Sequence, residues 1–449
     1  MQSVNTTWVQ TSKLLLPLLL CGFSLLSRGQ ENSPYSRYGM GDLVPNTSII
    51  NRGMGGVAAA YADYDKRYDE RGIPKVQTVN FLNPASYSRM RITSFDLGFE
   101  VDSRTINAVS QGDKFNSKSA IISYVQLGLP LSRKHGLGMN LGLRPVTRVN
   151  YKIQKDEKLP GFDSITHLFE GIGGSYQVYA GVGKSFKNFS VGFNTGYFFG
   201  TKDYSTRNIF LPDSVDNIYN KSNYETKANF GGIFLDAGAQ YQAQLNKTTI
   251  LHLGVYGTVK RKYNATRDYE INSYNYDANG GIYRVDSVYS ETGVKGELVY
   301  PATMGAGFML ERTDKWQLGA DFTTTAWDDY RLYGQKDSTT RSWMIKIGGQ
   351  VTPNLYSTTS YWSRVTYRAG LYFGPDYIRT GKELPQFGLS AGLGLPVRKN
   401  PYTNQFSFIN ISLEYGKRGN KNNLLSENIF RLAAGFTLSD LWFIKKKYL

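Results

Sequence analysis

The chain has 449 residues, a net charge of +16 and a mean hydropathy of -0.38. Aromatic residues make up 14% of it and 47 residues are glycine, which favours strands and tight turns over helices. The one cysteine, Cys21, rules out a disulfide framework. The three histidines, His135, His167 and His252, do not have metal-ligand spacing, so we expect neither a metal site nor a cofactor.

The first predicted element is a signal peptide. The only long apolar run, 14–26, follows Lys13 and ends just before Ser27-Arg28-Gly29. This run is too short to cross a bilayer comfortably, but it is typical of a secretory leader, which we predict over residues 1–29. An exported chain rarely meets nucleic acid, so the positive charge favours anionic lipid as its partner.

Residues 30–93 follow the leader and lack a clean strand period. Within them lies RGMGGVAAAYAD, 52–63, whose GMGGVAAA portion has no large side chain except Met54, and NPAS follows at 83–86. Small residues cannot form a wide apolar face, but they let a backbone approach another surface closely.

From residue 94 onward apolar and polar residues alternate with a period of two. In SFDLGFEV, for example, Phe95, Leu97, Phe99 and Val101 alternate with Asp96, Gly98 and Glu100. The pattern predicts fourteen strands, at 94–102, 118–131, 136–148, 173–187, 188–201, 228–243, 247–262, 296–311, 315–330, 342–352, 360–373, 386–397, 406–416 and 428–440.

Alternation alone fits a soluble β-sandwich as well as a membrane barrel. The predicted connections decide between them, because long ones, such as 149–172, 202–227 and 263–295, alternate with short ones. A transmembrane barrel sorts its loops in this way, with the short turns in the periplasm. We therefore predict an all-β fold, a transmembrane antiparallel β-barrel of about fourteen strands in the outer membrane, in contact with its lipid and lipopolysaccharide.

Several charged residues lie on the polar face of these strands. They would be costly against lipid, so we expect them in a wet lumen, paired across the barrel or with residues 30–93. These residues are Asp96, Glu100, Arg144, Asp236, Asp321 and Glu414.

The small-residue stretch followed by NPAS resembles the N-terminal hatch of the OMPP1/FadL/TodX family. LVYPATMGAGFMLERTDKWQLGADFTTTAWDDY (298–330) resembles that family's Pro-Ala-Thr strand, Lys-Trp turn and Trp-Asp strand end. Weaker matches are FEGIGGSYQVYAGVG (169–183), FGLSAGLGLPV (387–397) and FRLAAGFTLSDLWFIKKKYL (430–449). The sequence departs from the family at 64–82, a charged insertion that separates the alanine run from NPAS.

The resemblance implies a fourteen-stranded outer-membrane barrel, 94–449, whose lumen is plugged by residues 30–93. Candidate residues of this plug, or hatch, are Gly53, Gly55, Gly56, Asn83, Pro84 and Ala85. No ligand-binding residue of the family can be matched in this chain.

Two functions remain open. The resemblance implies passive uptake of hydrophobic small molecules across the outer membrane, in which the ligand passes the hatch. The alternative is a non-transporting accessory or scaffold subunit of a larger outer-membrane complex for protein secretion or insertion, with other outer-membrane proteins as partners. We expect no enzyme, because the chain lacks a nucleophile–base motif such as GxSxG, and no nucleotide site, because it lacks a Walker A motif. An apolar pocket under the long loops would favour transport. A lumen packed by residues 30–93 together with a broad apolar loop patch would favour the scaffold.

Overall fold

The computed structural model describes residues 33–62, 78–108, 114–158, 164–211, 220–277, 279, 281–397 and 406–440. The predicted signal peptide and most of the charged insertion at 64–82 lie outside the described residues.

Within these residues the chain is almost entirely β-structure. The strands are β1 Asp42–Leu43, β2 Thr93–Ala108, β3 Lys114–Ser132, β4 Leu137–Lys158, β5 Ser164–Phe186, β6 Phe189–Leu211, β7 Lys221–Gln244, β8 Thr249–Thr258, β9 Arg261–Tyr276, β10 Ile282–Tyr300, β11 Thr303–Arg312, β12 Trp316–Thr325, β13 Arg331–Leu332, β14 Gln335–Lys336, β15 Ser342–Val351, β16 Thr366–Thr380, β17 Lys382–Pro396, β18 Phe406–Arg418 and β19 Leu425–Asp440.

One short α-helix, α1, spans Ile49–Gly53. Four 3-10 helices span Pro34–Arg37, Pro84–Arg89, Trp327–Asp329 and Trp362–Arg364. In the described part of the chain, none of these helices has the length and apolar character that crossing a membrane requires.

Fourteen of the strands close into a ring. Strands β2 to β8 pair antiparallel in chain order. β8 then pairs with β11, β11 with β12 and β12 with β15, and strands β15 to β19 again pair in chain order. The ring closes where β19 pairs with β2 along sixteen residues, from Leu425↔Ala108 to Asp440↔Thr93. The prediction of a fourteen-stranded antiparallel barrel is confirmed, and each predicted strand overlaps one strand of the ring.

The barrel has polar residues inside and apolar residues outside. Along β2, Asp96, Glu100 and Asp102 are buried, while Phe95 and Val101 are exposed. This order is the reverse of a soluble protein and is that of a barrel whose outer face meets lipid. The alternation read from the sequence therefore assigned the correct residues to each face of this strand.

Three predicted connections are wrong, because strands continue into them. β4 and β5 stay paired as far as Lys158↔Ser164, and β6 pairs with β7 as far as Asn208↔Ser222. The predicted loop 263–295 is mostly a hairpin of β9 and β10. A strand has apolar residues at every second position only where one of its faces is buried or meets lipid. Strands with both faces in water therefore lack the alternating pattern.

Four predicted strand boundaries also need correction. The predicted strand 296–311 is split between Tyr300 and Thr303, where Pro301 cannot donate a ladder hydrogen bond. The predicted strands 247–262 and 315–330 end at Thr258 and Thr325, and the one predicted to begin at residue 360 begins at Thr366. Boundaries depend on pairing with neighbours, which the local pattern does not contain.

The barrel is much taller on one side than on the other. Strands β4 to β7 have 22 to 24 residues, whereas β8, β11, β12 and β15 have 10 each. At about 3.3 Å per residue and a tilt of about 45°, ten residues rise about 23 Å, close to the thickness of the apolar band. The extra residues of β4 to β7, together with β9 and β10, form a wall that extends beyond the apolar band. We call this part of the barrel the tall wall.

The pairing of the ring is broken between β3 and β4. These strands pair only from Val125↔Leu143 to Ser132↔Leu137. Above this point Ser123 is an extra residue in the β2–β3 ladder, and β4 carries Pro145. β1 lies along the separated part of β4, with Asp42 opposite Arg148 and Leu43 opposite Thr147. We call this break the β3–β4 seam.

Candidate functional site

The N-terminal segment, residues 33–62 and 78–92, is enclosed by the ring of strands. Its first part, residues 33–62, contacts strands on both sides of the β3–β4 seam and reaches β16 to β19. Its second part, residues 78–92, packs mainly on β4 to β7 near the short turns and leads directly into β2. Most of its residues are buried.

Helix α1 and a tight turn after it position the small residues of the first part. Ser48 caps α1 and accepts a hydrogen bond from the Asn51 amide. Gly55 and Gly56 follow with φ of +69° and +85°, a region that side chains strongly disfavour. A β-carbon on Gly55 would also lie 2.7 Å from the Leu371 nitrogen of β16, so only glycine fits there.

Ion pairs hold the first part to the wall. Arg52 at the end of α1 pairs with Glu100, and both side chains are buried. Asp42 pairs with Arg104 and Arg418, each at 2.8 Å. Burial alone would raise the pKa of Asp42, but the two guanidinium groups outweigh it and hold this pKa below its usual range.

The alanine run is held through its backbone. The amides of Ala58 and Ala59 donate to one carboxylate oxygen of Asp321, at 2.6 and 2.8 Å. Gln240 on β7 donates to the carbonyl of Ala59 at 3.0 Å. Because these bonds use only backbone atoms of the segment, small side chains leave room for them.

Asn83 joins the second part to both the first part and the wall. Its side-chain amide donates to the carbonyl of Ala59 at 2.7 Å and to those of Ala239 and Val255 at 3.3 and 3.2 Å. Its Oδ1 accepts from the Ala85 amide, which caps the 3-10 helix begun by Pro84. The sequence singled out Asn83 as a candidate residue of the plug but named no partner for it. Its long-range bonds depend on folding and could not be read from it.

Two polar residues of the second part were missed by the sequence reasoning. Asn80 donates to the carbonyls of Ala58 and Tyr61, at 2.7 and 2.8 Å. The Tyr87 hydroxyl donates to the side-chain oxygen of Asn194 on β6 at 3.0 Å. NPAS drew attention to residues 83–86, but no local signal distinguishes Asn80 or Tyr87.

Wall glycines were also missed, and they give the segment its close approach. A β-carbon at any of them would collide with backbone atoms of the N-terminal segment. They are Gly138, Gly183, Gly192, Gly254, Gly348 and Gly370, opposite Tyr87, Pro84, Pro84, Ala59, Met54 and Gly55 respectively. The sequence identified small residues in the N-terminal segment, but the barrel wall that faces the segment has them too.

Aromatic rings close the lumen at the end with the long connections. Trp327 and Tyr377 have ring centroids 4.4 Å apart, and Phe198 and Tyr263 are 4.9 Å apart. All four are buried in one cluster with Tyr35 and Met40 of the first part. The rings therefore pack on the segment at this end of the lumen.

A cavity of about 290 Å³ remains beside the first part. Trp343, Met344 and Leu43 contribute apolar surface, but much of the lining is charged. Its charged residues are Asp42, Arg52, Arg104, Lys346, Asp376, Glu414, Arg418 and Arg431. The lining therefore combines apolar surface with charged groups.

The charged residues predicted to face the lumen do so. Asp96, Glu100, Arg144, Asp321 and Glu414 are buried, and Asp236 is half-buried beside Thr258. Arg144 contacts Asn46 of the first part, and Glu414 pairs with Arg431 at 3.0 Å. In the residues that the structure describes, no three His, Cys, Asp or Glu side chains are grouped as metal ligands.

A closed fourteen-stranded antiparallel ring, polar inside and apolar outside, defines the class, a FadL-like outer-membrane β-barrel. The chain belongs to the BamG family, whose model matches residues 11–449. No curated protein matches the sequence.

Solved structures share the fold. CymD, a monoaromatic hydrocarbon channel, and a Pseudomonas aeruginosa FadL homologue each have a TM-score of 0.53 and 14% identity, covering 89% of this chain and 98% of theirs. The Ralstonia pickettii toluene transporter TbuX has a TM-score of 0.52 and 12% identity over 88% of this chain and 98% of its own. At such low identity the likeness concerns the fold alone.

Proposed function

We propose that the protein is an accessory or scaffold subunit of a larger outer-membrane complex for protein secretion or insertion, with residues 30–93 as a permanent plug. The observation that carries the proposal is the way the N-terminal segment is held. Arg52–Glu100 and Asp42–Arg104 are buried ion pairs, and removing one partner of such a pair costs about 3–5 kcal/mol. A hatch that opened in every transport cycle would have to break both.

Two further observations support the scaffold. Eight charged side chains line the cavity beside its apolar surface, which is unfavourable for a purely hydrophobic ligand, and an apolar patch lies on the β9–β10 hairpin, at Ile282, Val285 and Val288. The family name BamG also points to a role in an outer-membrane complex.

The test is purification of the native protein in mild detergent, with mass spectrometry of what accompanies it. We expect other outer-membrane proteins in stoichiometric amounts. A protein that purifies alone, from membranes where it is at its natural level, contradicts the proposal.

Transport is the second candidate, because one observation favours it. The β3–β4 seam interrupts the wall, and Asp42 and Leu43, which lie along β4 there, also line the cavity. If β1 moved away, an opening at the seam would let an apolar molecule leave sideways into the membrane. The solved relatives named above include a hydrocarbon channel and a toluene transporter. Uptake of labelled toluene into cells with and without the protein separates the two functions, and we expect no difference.

A further inference from the structure

One edge of the tall wall has no partner strand. β10 is the last strand of this wall, and one of its edges pairs with β9 along its length. Its other edge pairs only at Leu298 and Val299, with β13. Within the described part of the chain, residues 282–297 therefore form an edge without a partner strand, which we call the β10 edge; only at its lower end do the carbonyls of Val294 and Glu297 accept hydrogen bonds from the hydroxyl and amide of Tyr333.

The side chains on the β10 edge do not protect it. Ile282, Val285 and Val288 are 54%, 45% and 68% exposed. Val285 and Val288 are extra residues at two irregularities of the β9–β10 ladder, so each bulge adds an exposed apolar group. Bulges and charges ordinarily discourage edge pairing, but here the bulges carry valine.

The other free edge of the tall wall, on β4, is protected. Its outer residues read KIQKDEK, 152–158, and five of these seven are charged. Nearer the membrane, Ser36 of the N-terminal segment exchanges hydrogen bonds with the backbone of Asn150. The same sheet therefore has one edge that is charged and capped, and another that is apolar and open.

Most charges of the β10 edge are neutralised within its own hairpin. Arg284 pairs with Glu270 at 2.6 Å, and Glu297 pairs with Lys262 at 2.7 Å. Asp286 and Lys295 make no ion pair with the residues that the structure describes. A binding strand would complement them with a basic residue near the tip and an acidic residue near the membrane.

We propose that the β10 edge binds an extended segment of a second outer-membrane protein by strand addition. The proposal rests on the scaffold function above and names its contact surface. Backbone hydrogen bonds would give the affinity, and the valines together with Asp286 and Lys295 would give the selectivity. β11, β12 and β15, the ring strands below this edge, are just long enough to cross the apolar band. The edge therefore lies close to the membrane surface, and a partner that reaches it would lie beside the barrel in the same membrane.

The first test is photo-crosslinking in intact outer membranes. A photo-reactive residue replaces Ser287 or Ser290 on the β10 edge, or Gln154 on the protected edge as control. We expect Ser287 and Ser290 to crosslink to one segment of one outer-membrane protein, and Gln154 not to. Crosslinks from both edges alike, no crosslink from the β10 edge, or crosslinks only to a second copy of this chain overturn the proposal.

The second test is charge reversal with matched controls. Lys295→Glu and Asp286→Lys should each reduce the recovered partner about tenfold, the effect of about 1.4 kcal/mol, whereas Lys295→Arg and Asp286→Glu should retain it. If wild-type protein brings down a partner and the reversals do not change its amount, the β10 edge proposal fails while the scaffold function stands. If wild-type protein brings down nothing, the scaffold function itself fails.

Discussion

The two parts of the N-terminal segment are held inside the same barrel by different chemistry. The first part depends on charge, through Asp42, Arg52 and the carboxylate of Asp321. The second part depends on shape and neutral hydrogen bonds, with Pro84 against wall glycines and Asn83 and Tyr87 bonded to neighbours. The difference teaches that the first part should respond to loss of charge as well as to added volume, and the second mainly to added volume.

Removing both parts gives the largest expected effect. We expect a barrel lacking residues 30–92 to insert into planar bilayers and carry a steady ion current, because a ring of fourteen strands is too wide for side chains alone to fill. The full-length protein should be nearly silent. A truncated barrel that inserts and stays equally silent contradicts the plug.

Removing only the first part sharpens this comparison. Deletion of residues 33–62 should open the lumen at the end with the long connections while the second part still narrows it near the short turns. We expect a smaller current than for the full deletion. Equal currents would show that the second part blocks nothing on its own.

Breaking the charge contact should weaken the first part strongly. Arg52→Ala removes the nearer cation from buried Glu100 and leaves it only Arg148 at 3.9 Å and the Ser123 hydroxyl, and we expect a loss of up to about 3–5 kcal/mol in the free energy of unfolding in lipid vesicles. Arg52→Met with Glu100→Leu should recover most of that loss, because it removes both charges. A double variant as unstable as the single one would show that the cost is lost packing.

Added volume should disturb the shape contacts. Gly192→Val places side-chain atoms against the Pro84 backbone, and overpacking of this kind costs about 1–3 kcal/mol. Gly435→Ala is the control, since its β-carbon would lie 3.4 Å from Ile49, an ordinary contact. The urea concentration at the midpoint of unfolding is measured for both variants. Equal midpoints would mean that the second part shifts to accommodate the added side chain.

Acid should loosen the first part before the second. The pKa of Asp42 is depressed in the folded protein, so its stabilising contribution is complete above the ordinary aspartate pKa of about 3.9 and is lost as the pH falls below it. The rate at which pepsin cuts within residues 33–62 should therefore rise as the pH falls below about 4. In Asp42→Asn this increase should be smaller; an unchanged pH profile would remove Asp42 as the cause.

Single cysteines should report which part lies nearer the cell surface, with little effect on stability. We predict that Lys155→Cys near the outer end of β4 and Asn279→Cys in the β9–β10 turn react with an impermeant maleimide on whole cells, whereas Lys134→Cys in a short turn reacts only after lysis. The opposite pattern would reverse the topology and place the first part at the periplasmic end.

The sequence by itself determined the ring. Alternation along segments such as 94–102 and 428–440 identifies fourteen strands and assigns Asp96 and Glu100 to the lumen, because each strand that faces lipid must be apolar on every second residue. It also singled out Gly55 and Asn83, since small residues and Asn-Pro are unusual locally.

Only the tertiary structure decided the rest. The tall wall carries no lipid-facing pattern, so its strands look like loops until their pairing is seen. The glycines opposite the N-terminal segment, such as Gly192 and Gly370, have a reason only when the two backbones meet. Asn83 reaches Ala59 from 24 residues away, and Arg52 reaches Glu100 from 48. Such contacts form only when distant parts of the chain are brought together by folding, and a local sequence pattern does not show which parts will meet.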